Sequence, residues 1–222
     1  MDAERILTFL TDLVNNNNRE WFHSHKDEYD YCNRDFQQFT EQWLQRMIPL
    51  EPGLQGLTPK DCIWRIYRDT RFSPDKTPYK DHMGSFLAEH GGKKSRYAGY
   101  YVHLQPGNCL FAAGMWCPEG ELLNAVRNSL LNNYDEMEEL MAAPLFRKYF
   151  TDFDTDYMLK KLPQGFPKDA PHPEWLKRKT FTLSCRISDQ TACADDFIDK
   201  VMDMCKAAMP VNRFLNYVFE EM

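Results

Sequence analysis

The side chains with the clearest capacity for chemistry lie in one stretch, residues 65–80, which we call the cationic segment. Arginine and lysine recur in it beside tyrosine, and a guanidinium group matches the planar geometry of a phosphate or carboxylate. Pro74 and Pro78 stiffen the backbone, which lowers the entropic cost of ordering the segment around a ligand. The pattern therefore predicts a cationic and aromatic pocket for a phosphorylated or carboxylated small molecule. The predicted ligand-binding residues are Arg65, Arg68, Arg71, Lys76, Tyr79, Lys80, Tyr101 and Trp116.

Proton transfer in such a pocket would need a titratable side chain nearby. Asp69 lies within the cationic segment, and His82 and His103 are isolated histidines near it in the chain or in the predicted sheet. Asp69 and His103 are the predicted catalytic residues, if the chain is an enzyme at all. Stabilisation of a developing anion would then be the main contribution to catalysis. The sequence leaves the cofactor unknown.

Three other interpretations are open, two of the cationic segment and one of the C-terminal helix. Arg65, Asp69 and Arg71 could form an internal ion-pair network that only pins the loop, and such networks imitate functional sites. The basic patch could belong to a non-catalytic module that binds protein or nucleic acid, and a steep loss of affinity with salt would identify nucleic acid. An apolar C-terminal helix, residues 210–222, could lie at a dimer seam, although the sequence does not define the oligomeric state.

Composition limits the classes of protein that fit. The chain has 222 residues, 43% apolar and 14% aromatic, which suffices for a buried core and excludes a disordered chain. A formal net charge of -6 disfavours coating of nucleic acid by overall charge, although a local patch could still bind it. Seven cysteines without C-x-x-C spacing disfavour a disulfide framework or a zinc ribbon.

Neither a metal site nor contact with a membrane is predicted. His23 and His25 would point about 200° apart on a helix, so they could not share a metal ion. No signal peptide and no apolar run long enough to cross a bilayer is recognised. A soluble, cytoplasmic protein is therefore expected.

The order of predicted strands and helices along the chain indicates an α+β fold. In this fold a central antiparallel sheet would position these residues, and helices at both chain ends would pack on it. Strands are predicted where β-branched and aromatic residues run without breakers or alternate with polar ones. These predicted strands are residues 62–68, 97–105, 109–116 and 180–187. Pro106, Gly107 and Asn108 separate the middle two strands, which is typical of a hairpin. Gly114 within a strand indicates close approach of another backbone or of a ligand, and with Tyr101 it would form the floor of the pocket.

Helices are predicted where apolar residues recur every three or four positions. One is expected to begin after Asn18, a residue well suited to an N-cap. Others are expected to begin at Pro118 and Pro210. The first N–H groups of a helix have no partner within the helix, so proline, which has no N–H, is well suited to that position. No linker is convincing, so residues 1–222 are predicted to be a single domain.

The cationic segment also resembles a known family, the conserved hypothetical proteins catalogued as domain of unknown function 2461. The family pattern R-I-Y-R-D-x-R-F-S-x-D-K-x-P-Y-K is met at every fixed position of residues 65–80. Further likenesses are N-N-R-E-W-F at residues 17–22, G-Y-Y at 99–101, G-x-W-x-P at 114–118 and P-x-G-F-P-K-D at 163–169. Cys117 departs from the pattern, which has a polar residue or histidine there. The resemblance spans nearly the whole chain, and since the family has no established reaction, it implies no particular activity.

Overall fold

Four antiparallel strands form one sheet in the computed structural model, which describes residues 1–221. The strands are β1 (Met83–Leu87), β2 (Gly99–Leu104), β3 (Leu110–Met115) and β4 (Phe181–Arg186), in the order β1-β2-β3-β4. Strands that follow one another in the chain are therefore neighbours in the sheet. The Asn108 amide donates to the Gln105 carbonyl at 2.9 Å in the turn between β2 and β3, which confirms the predicted hairpin.

Helices fill much of the remaining chain, which confirms the α+β class. Those before the sheet are α1 (Ala3–Asn15), α2 (Arg19–Ser24), α3 (Lys26–Met47), a 3-10 turn at Pro52–Leu54 and α4 (Pro59–Cys62). Those after β1 are a 3-10 turn at Gly92–Lys94, α5 (Gly120–Asn132), α6 (Tyr134–Ala142), α7 (Pro144–Tyr149), α8 (Pro173–Lys177), α9 (Asp189–Ala192), α10 (Phe197–Asn216) and α11 (Val218–Glu221). Within residues 1–221, no helix combines the length and apolar character that crossing a membrane requires.

The predicted strand over residues 62–68 is wrong. Cys62 ends α4 instead, a short helix that begins with a capping box between Thr58 and Asp61. Beyond α4 the chain makes isolated antiparallel bridges, which are Ile63 with Ser85 and Tyr67 with Tyr79. The continuous strand at this side of the sheet is β1, which the sequence pattern did not predict because its run of five residues is short and contains Gly84.

The predicted cap at Asn18 is confirmed, whereas the predicted helix start at Pro118 is wrong. The Asn18 side chain accepts a hydrogen bond of 2.9 Å from the Trp21 amide at the start of α2. Pro118 precedes α5, whose N-cap is Glu119. Proline is compatible with the first position of a helix, but here it lies one residue before the N-cap.

The helix start predicted at Pro210 is also wrong, because α10 runs through this residue. An interior proline removes a helical hydrogen bond and costs about 3 kcal/mol. Fully buried side chains on both sides, such as Val201 and Leu215, offset that cost, since burial of each contributes about 1.5–3 kcal/mol. Val211, Phe214, Leu215 and Val218 of the predicted dimer seam are buried within the chain, whereas Phe219 is only part-buried. Met222, the last residue of that seam, lies outside the described residues.

The chain forms two compact units, and unit 1 comprises Met1–Ser95, Tyr101–Phe111 and Arg186–Met202. Within unit 1, α3 packs on β1, where the buried Thr40 and Ser85 hydroxyls lie within hydrogen-bond distance at 3.2 Å. The rings of Phe39 in α3 and Phe197 in α10 stack with their centroids 5.6 Å apart. Within unit 1, α3 therefore contacts both β1 and the start of α10.

Unit 2 comprises Arg96–Tyr100, Ala112–Cys185 and the described residues from Asp203 onward. Within unit 2, α10 packs on β2, where the buried Asn212 side chain donates to the Gly99 carbonyl at 2.9 Å. Helices at both ends of the chain thus pack on the sheet, as predicted. The predicted single domain, residues 1–222, stays a prediction.

Candidate functional site

Strand β2 presents two different faces within unit 1. Val102 and Leu104 are buried, whereas Tyr101, His103 and the following Gln105 are only part-buried. Side chains at alternate positions of a strand point to the same side of the sheet. The three part-buried polar groups therefore form a row on one face, and two of them, Tyr101 and His103, are predicted site residues.

Gly84 in β1 leaves room for the Tyr101 ring on this face. A Cβ atom at Gly84 would lie 2.6 Å from the Tyr101 hydroxyl oxygen and 2.8 Å from a ring carbon, which is too close for non-bonded atoms. The ring also meets the Trp64 ring edge-on, with centroids 5.7 Å apart. The Trp64 amide donates to the Gly84 carbonyl at 3.3 Å. Tyr101 is thereby confined between the backbone of β1 and the indole.

A surface cavity of about 210 Å³ opens beside the Tyr101 ring, and we call it the Lys80 cleft. The residues that line it are Trp64, Lys80, His82, Gly84 and Tyr101. Typical sites for drug-sized ligands occupy about 300–1,000 Å³, so this cleft has room for a smaller molecule only. Lys80 and Tyr101 are predicted site residues, whereas Trp64 and Gly84 are not.

His103 is held as a neutral acceptor beside Tyr101. Its Nδ1 lies 2.7 Å from the Tyr101 hydroxyl, and its Nε2 lies 3.0 Å from Oε1 of Gln105. The amide group of Gln105 donates to Asp81 at 2.8 Å, so Oε1 can only accept and Nε2 of His103 carries the proton. Burial lowers the pKa of His103, and this outweighs the opposing effect of the hydrogen bond with Gln105. The lowered pKa favours the neutral imidazole, which accepts the Tyr101 hydrogen bond on Nδ1, while burial raises the pKa of Tyr101.

Asp81 connects this row to a second imidazole. Its carboxylate lies 2.7 Å from Nδ1 of His82, and the rings of His82 and His103 stack with centroids 4.4 Å apart. Burial is the largest single effect on Asp81 and raises the pKa of its carboxyl, but the hydrogen bond from His82 and smaller electrostatic effects together lower that pKa below the usual value. An ionised carboxylate only accepts, so neutral His82 carries its proton on Nδ1 and keeps a lone pair on Nε2. In the part of the chain that the structure describes, Nε2 has no hydrogen-bond partner.

Lys80 brings to the cleft an amine without an internal partner. Its backbone amide donates to the Ile66 carbonyl at 2.8 Å, which fixes the residue beside β1. No hydrogen bond or ion pair within residues 1–221 involves its Nζ. Burial lowers the pKa of Lys80, and the positive charges of Arg65 and Lys93 lower it further because they disfavour the protonated form.

The cations near Lys80 form no ion pair with a carboxylate of residues 1–221. The Lys93 ammonium donates to the backbone carbonyls of Lys60 and Ile63, the latter at 2.7 Å. Arg65 is exposed and forms no ion pair with a carboxylate of the described chain. We call Arg65 and Lys80 the base of the cationic segment. The base therefore brings to the cleft the positive charge of Lys80, and Arg65 adds a second charge that acts on Lys80.

The tip of the cationic segment, residues 68–77, is arranged differently. Arg71 pairs with Asp69 through two hydrogen bonds, Nε to Oδ1 at 3.0 Å and Nη2 to Oδ2 at 2.7 Å. Arg68 forms an ion pair with Asp75, and the Lys76 ammonium donates to a backbone carbonyl at 2.9 Å. The tip cations thus have internal partners, and none of them lines the Lys80 cleft.

Asp69, a predicted catalytic residue, is one of these partners. Hydrogen bonds from the side chain and the backbone amide of Arg71 lower the pKa of Asp69 to about 2. A carboxylate with so low a pKa stays ionised near neutral pH and is a poor proton carrier. His82 lines the cleft, whereas both ring nitrogens of His103 are engaged in hydrogen bonds, so the catalytic role of His103 stays a prediction.

Tyr79 and Trp116, which were also predicted to bind the ligand, are not among the residues that line the cleft. Tyr79 is buried, and its ring stacks on Phe22 with centroids 4.0 Å apart. Trp116 belongs to unit 2, where 62% of it is exposed and its ring meets Tyr157 edge-on at 5.4 Å. Their roles in binding stay predictions. Gly114 is explained by the neighbouring backbone, because a Cβ there would collide with the Phe181 carbonyl in β4.

Sequence reasoning missed the contributions of Trp64, Asp81 and Gln105 to this site. The sequence feature that could have identified Asp81 is its position between Lys80 and His82 in the chain. Gln105 follows His103 at the two-residue spacing that puts side chains on one strand face. Among residues 1–221, no group of three or more His, Cys, Asp or Glu side chains is arranged to hold a metal ion.

The fold and the site define an α+β protein with a cationic, aromatic cleft beside strands β1 and β2. A family model described as conserved hypothetical protein (DUF2461) matches residues 5–214. The chain belongs to this family, which confirms the resemblance carried by the cationic segment. No curated protein and no solved structure matches the chain.

Proposed function

We propose that the Lys80 cleft binds a small phosphorylated or carboxylated molecule. The observation that carries this proposal is the Lys80 ammonium, which lines the cleft without a counter-charge from the described chain. A buried or half-buried cation is costly unless an anion or hydrogen-bond acceptors compensate it. A bound phosphate or carboxylate would supply that compensation.

Arg65 and Lys93 strengthen the preference for an anion. Both lower the pKa of Lys80, after the larger effect of burial, so their charges act at the Lys80 nitrogen. An anion beside Lys80 would interact favourably with all three charges. The fork of Arg65 is suited to two-point contact with a phosphate or carboxylate, whereas Lys80 acts as a point charge.

The rings of Trp64 and Tyr101 supply the aromatic part of the proposed site. They line the same cleft and are fixed against each other edge-on. A rigid aromatic wall offers apolar contact at a low entropic cost. The ligand would therefore combine an anionic group with a small apolar or planar portion.

Calorimetric titration with inorganic phosphate and with acetate, at pH 7, tests the proposal. We expect Lys80→Met to weaken binding about tenfold to a hundredfold, since a hydrogen bond to a charged group contributes about 1.5–3 kcal/mol. Lys76→Met is the matched control, because it removes the same charge from the tip, where Lys76 donates to a backbone carbonyl. Thermal unfolding of each variant checks that the fold is retained.

Two results would contradict the proposal. One is the absence of any binding or thermal stabilisation of the wild type by either anion at millimolar concentration, because a ligand of the native state must stabilise it. The other is an equal loss of affinity in Lys76→Met and Lys80→Met. The second result would show that the anion senses only the overall charge of the segment.

A second candidate function is a non-catalytic module that binds protein or nucleic acid through the tip. The observation that favours it is Phe72, which is 92% exposed and lies 5.8 Å from the Arg71 guanidinium. An exposed aromatic ring beside an arginine is typical of contact surfaces. Phe72→Ser should then abolish partner binding while leaving phosphate binding unchanged, and a steep salt dependence would indicate nucleic acid.

We also propose that the protein is soluble and acts in the cytoplasm. All seven cysteines are free thiols, and four of them are buried. Unpaired thiols are typical of a reducing compartment. Fractionation of cells that express the chain, with detection by antibody, would test this location.

A further inference from the structure

We propose that Lys80 is a nucleophile that forms a Schiff base with an aldehyde or ketone, because its amine and the His82 imidazole line one small cleft. The carbonyl compound would also carry an anionic group. This one feature of the ligand rests on the proposed function, whereas the formation of the imine does not. Formation of the imine itself needs an accessible free amine, a group that moves protons and a cleft of suitable size. The structure supplies each of these within unit 1.

The amine must be free of competing contacts to attack a carbonyl carbon. Lys80 meets this condition, whereas Lys93 in the same neighbourhood is held by backbone carbonyls. The lowered pKa of Lys80 supports the assignment, because it increases the fraction of unprotonated amine at a given pH. Lysines at reactive sites are activated in this way, by desolvation and by neighbouring cations.

His82 is positioned to move the protons. Its Nδ1 hydrogen bond to Asp81, 2.7 Å long, orients the ring and leaves the Nε2 lone pair without a partner in the described chain. His82 lines the cleft together with Lys80. Asp81 is itself held by Gln105 at 2.8 Å, so the carboxylate is a fixed support for the imidazole. His82 would be a catalytic residue and Asp81 a positioning residue.

The reaction balances with the carbonyl compound alone. The Nζ lone pair of Lys80 attacks the carbonyl carbon, a C–N bond forms and the C=O π pair moves to oxygen. Both amine protons then pass to that oxygen, one through solvent and one through Nε2 of His82. The C–O bond breaks, water leaves and the C=N bond of the imine remains.

Reductive trapping tests the proposal with pyridoxal 5′-phosphate and with pyridoxal, which has the same aldehyde but no phosphate. Each is incubated with the full chain, reduced with borohydride and mapped by peptide mass spectrometry. We expect the adduct on Lys80 to form faster than on any other lysine, and faster with the phosphate than without it. Excess inorganic phosphate should slow the labelling of Lys80 by both probes, because it binds beside the same amine in the proposed site.

Three variants separate reactivity from binding. Lys80→Arg keeps the positive charge, so it should keep phosphate affinity within a few-fold and lose the adduct at this position. Lys93→Arg, the matched control, should keep the adduct on Lys80. His82→Gln should slow the formation of the adduct on the order of a hundredfold, which is a typical contribution of general acid–base catalysis.

The outcomes distinguish the two proposals. Equal labelling of Lys80 by both probes supports the Schiff base and contradicts anion binding. Binding of inorganic phosphate without labelling of Lys80 above the other lysines overturns the Schiff base and leaves anion binding intact. An unchanged rate of labelling in a folded His82→Gln variant overturns the assigned role of His82.

Discussion

The two ends of the cationic segment contain the same kinds of side chain in opposite electrostatic situations. At the tip, Arg71 lies 2.7 Å from the carboxylate of Asp69, and Arg68 forms an ion pair with Asp75. At the base, Arg65 and Lys80 form no ion pair within residues 1–221. A dense basic motif therefore says little about binding until the partner of each charge is known.

The backbone explains why the two ends differ. The Arg68 amide donates to the Pro78 carbonyl at 2.9 Å, and the Lys80 amide donates to the Ile66 carbonyl at 2.8 Å. These bonds join the two arms of the segment and leave the tip to fold on itself. The cations of the tip therefore pair with acids and carbonyls of the tip itself. The base lies beside β1, next to a cleft that other parts of unit 1 help to form.

The largest effect is expected from a glycine that shapes the cleft at the base. Gly84→Ala places a Cβ 2.6 Å from the Tyr101 hydroxyl, and this ring is confined by Trp64. Overpacking of this kind costs about 1–3 kcal/mol, which chemical denaturation would measure. Phosphate affinity should fall as well, because Tyr101 lines the cleft.

Gly53→Ala is the matched control for this substitution. Its Cβ would meet the carboxyl group of Glu89, the far end of a flexible side chain that can move aside. A change within about 0.5 kcal/mol is expected. If both alanine variants lost the same stability, confinement of the Tyr101 ring would not be the cause, and the rigid wall of the cleft would be in doubt.

The next largest effect compares the base with the tip directly. Arg65→Gln should weaken phosphate binding by up to about fivefold, because an exposed ion pair contributes about 0.2–1 kcal/mol. Arg71→Gln should change the affinity by less than about twofold, since Arg71 is already paired with Asp69. Titration calorimetry of the two variants would measure both effects. A larger loss for Arg71 than for Arg65 would reverse the comparison.

A smaller but diagnostic effect is expected from pH. Anion affinity requires protonated Lys80, so it should fall as pH rises through the pKa of Lys80, which burial, Arg65 and Lys93 lower from the usual value. Sulfate is the suitable probe, because it remains a dianion throughout the titration. Affinity that stayed constant up to the ordinary lysine pKa of about 10.4 would show that Lys80 is not perturbed.

The stability of the protein should respond with the opposite sign. The lowered pKa means that the unfolded chain holds the Lys80 proton more tightly than the folded chain does. Stability relative to Lys80→Met should therefore rise with pH between the folded and unfolded pKa values of Lys80. Denaturation curves at several pH values, without added anion, would measure this slope.

Local patterns in the sequence predicted most of the sheet. The hairpin of β2 and β3 follows from strand propensity around Pro106, Gly107 and Asn108, and β4 follows from strict alternation. Residues 62–68 have equally strong strand propensity but form only isolated bridges, because Cys62 is the last residue of α4 and the chain bends before Tyr67. Propensity describes what a residue tolerates, while the available neighbours decide the pairing.

The candidate site was less predictable for a related reason. The predicted set included Lys80, Tyr101 and His103, because arginine- and lysine-rich sequence and period-two spacing are local signals. The internal pairing of Arg68 and Arg71 could not be read in the same way, since it depends on how the tip bends. Gly84 and Trp64 join the site only through contacts with Tyr101, which is remote from both in the chain.

The smallest effect concerns the acids of the tip and tests whether its charges are truly matched. The pKa of Asp69 is lowered to about 2, mainly by the Arg71 side chain, and that of Asp75 to about 2, mainly by the Thr77 backbone amide and then by Arg68. Carbon-detected NMR titration should give both midpoints well below the usual value of about 3.9. Any stability from these carboxylates is then present above that usual value and is lost as pH falls toward 2.

Substitution of the two arginines should shift these midpoints unequally. Arg71→Gln removes the largest cause at Asp69 and should restore most of its ordinary pKa. Arg68→Gln should raise the pKa of Asp75 less, because the Thr77 amide still donates to that carboxylate at 2.9 Å. An ordinary pKa for Asp69 in the wild type would mean that Arg71 is not bound to it. The tip would then hold a free guanidinium, like Arg65 at the base, and the electrostatic difference between the two ends would disappear.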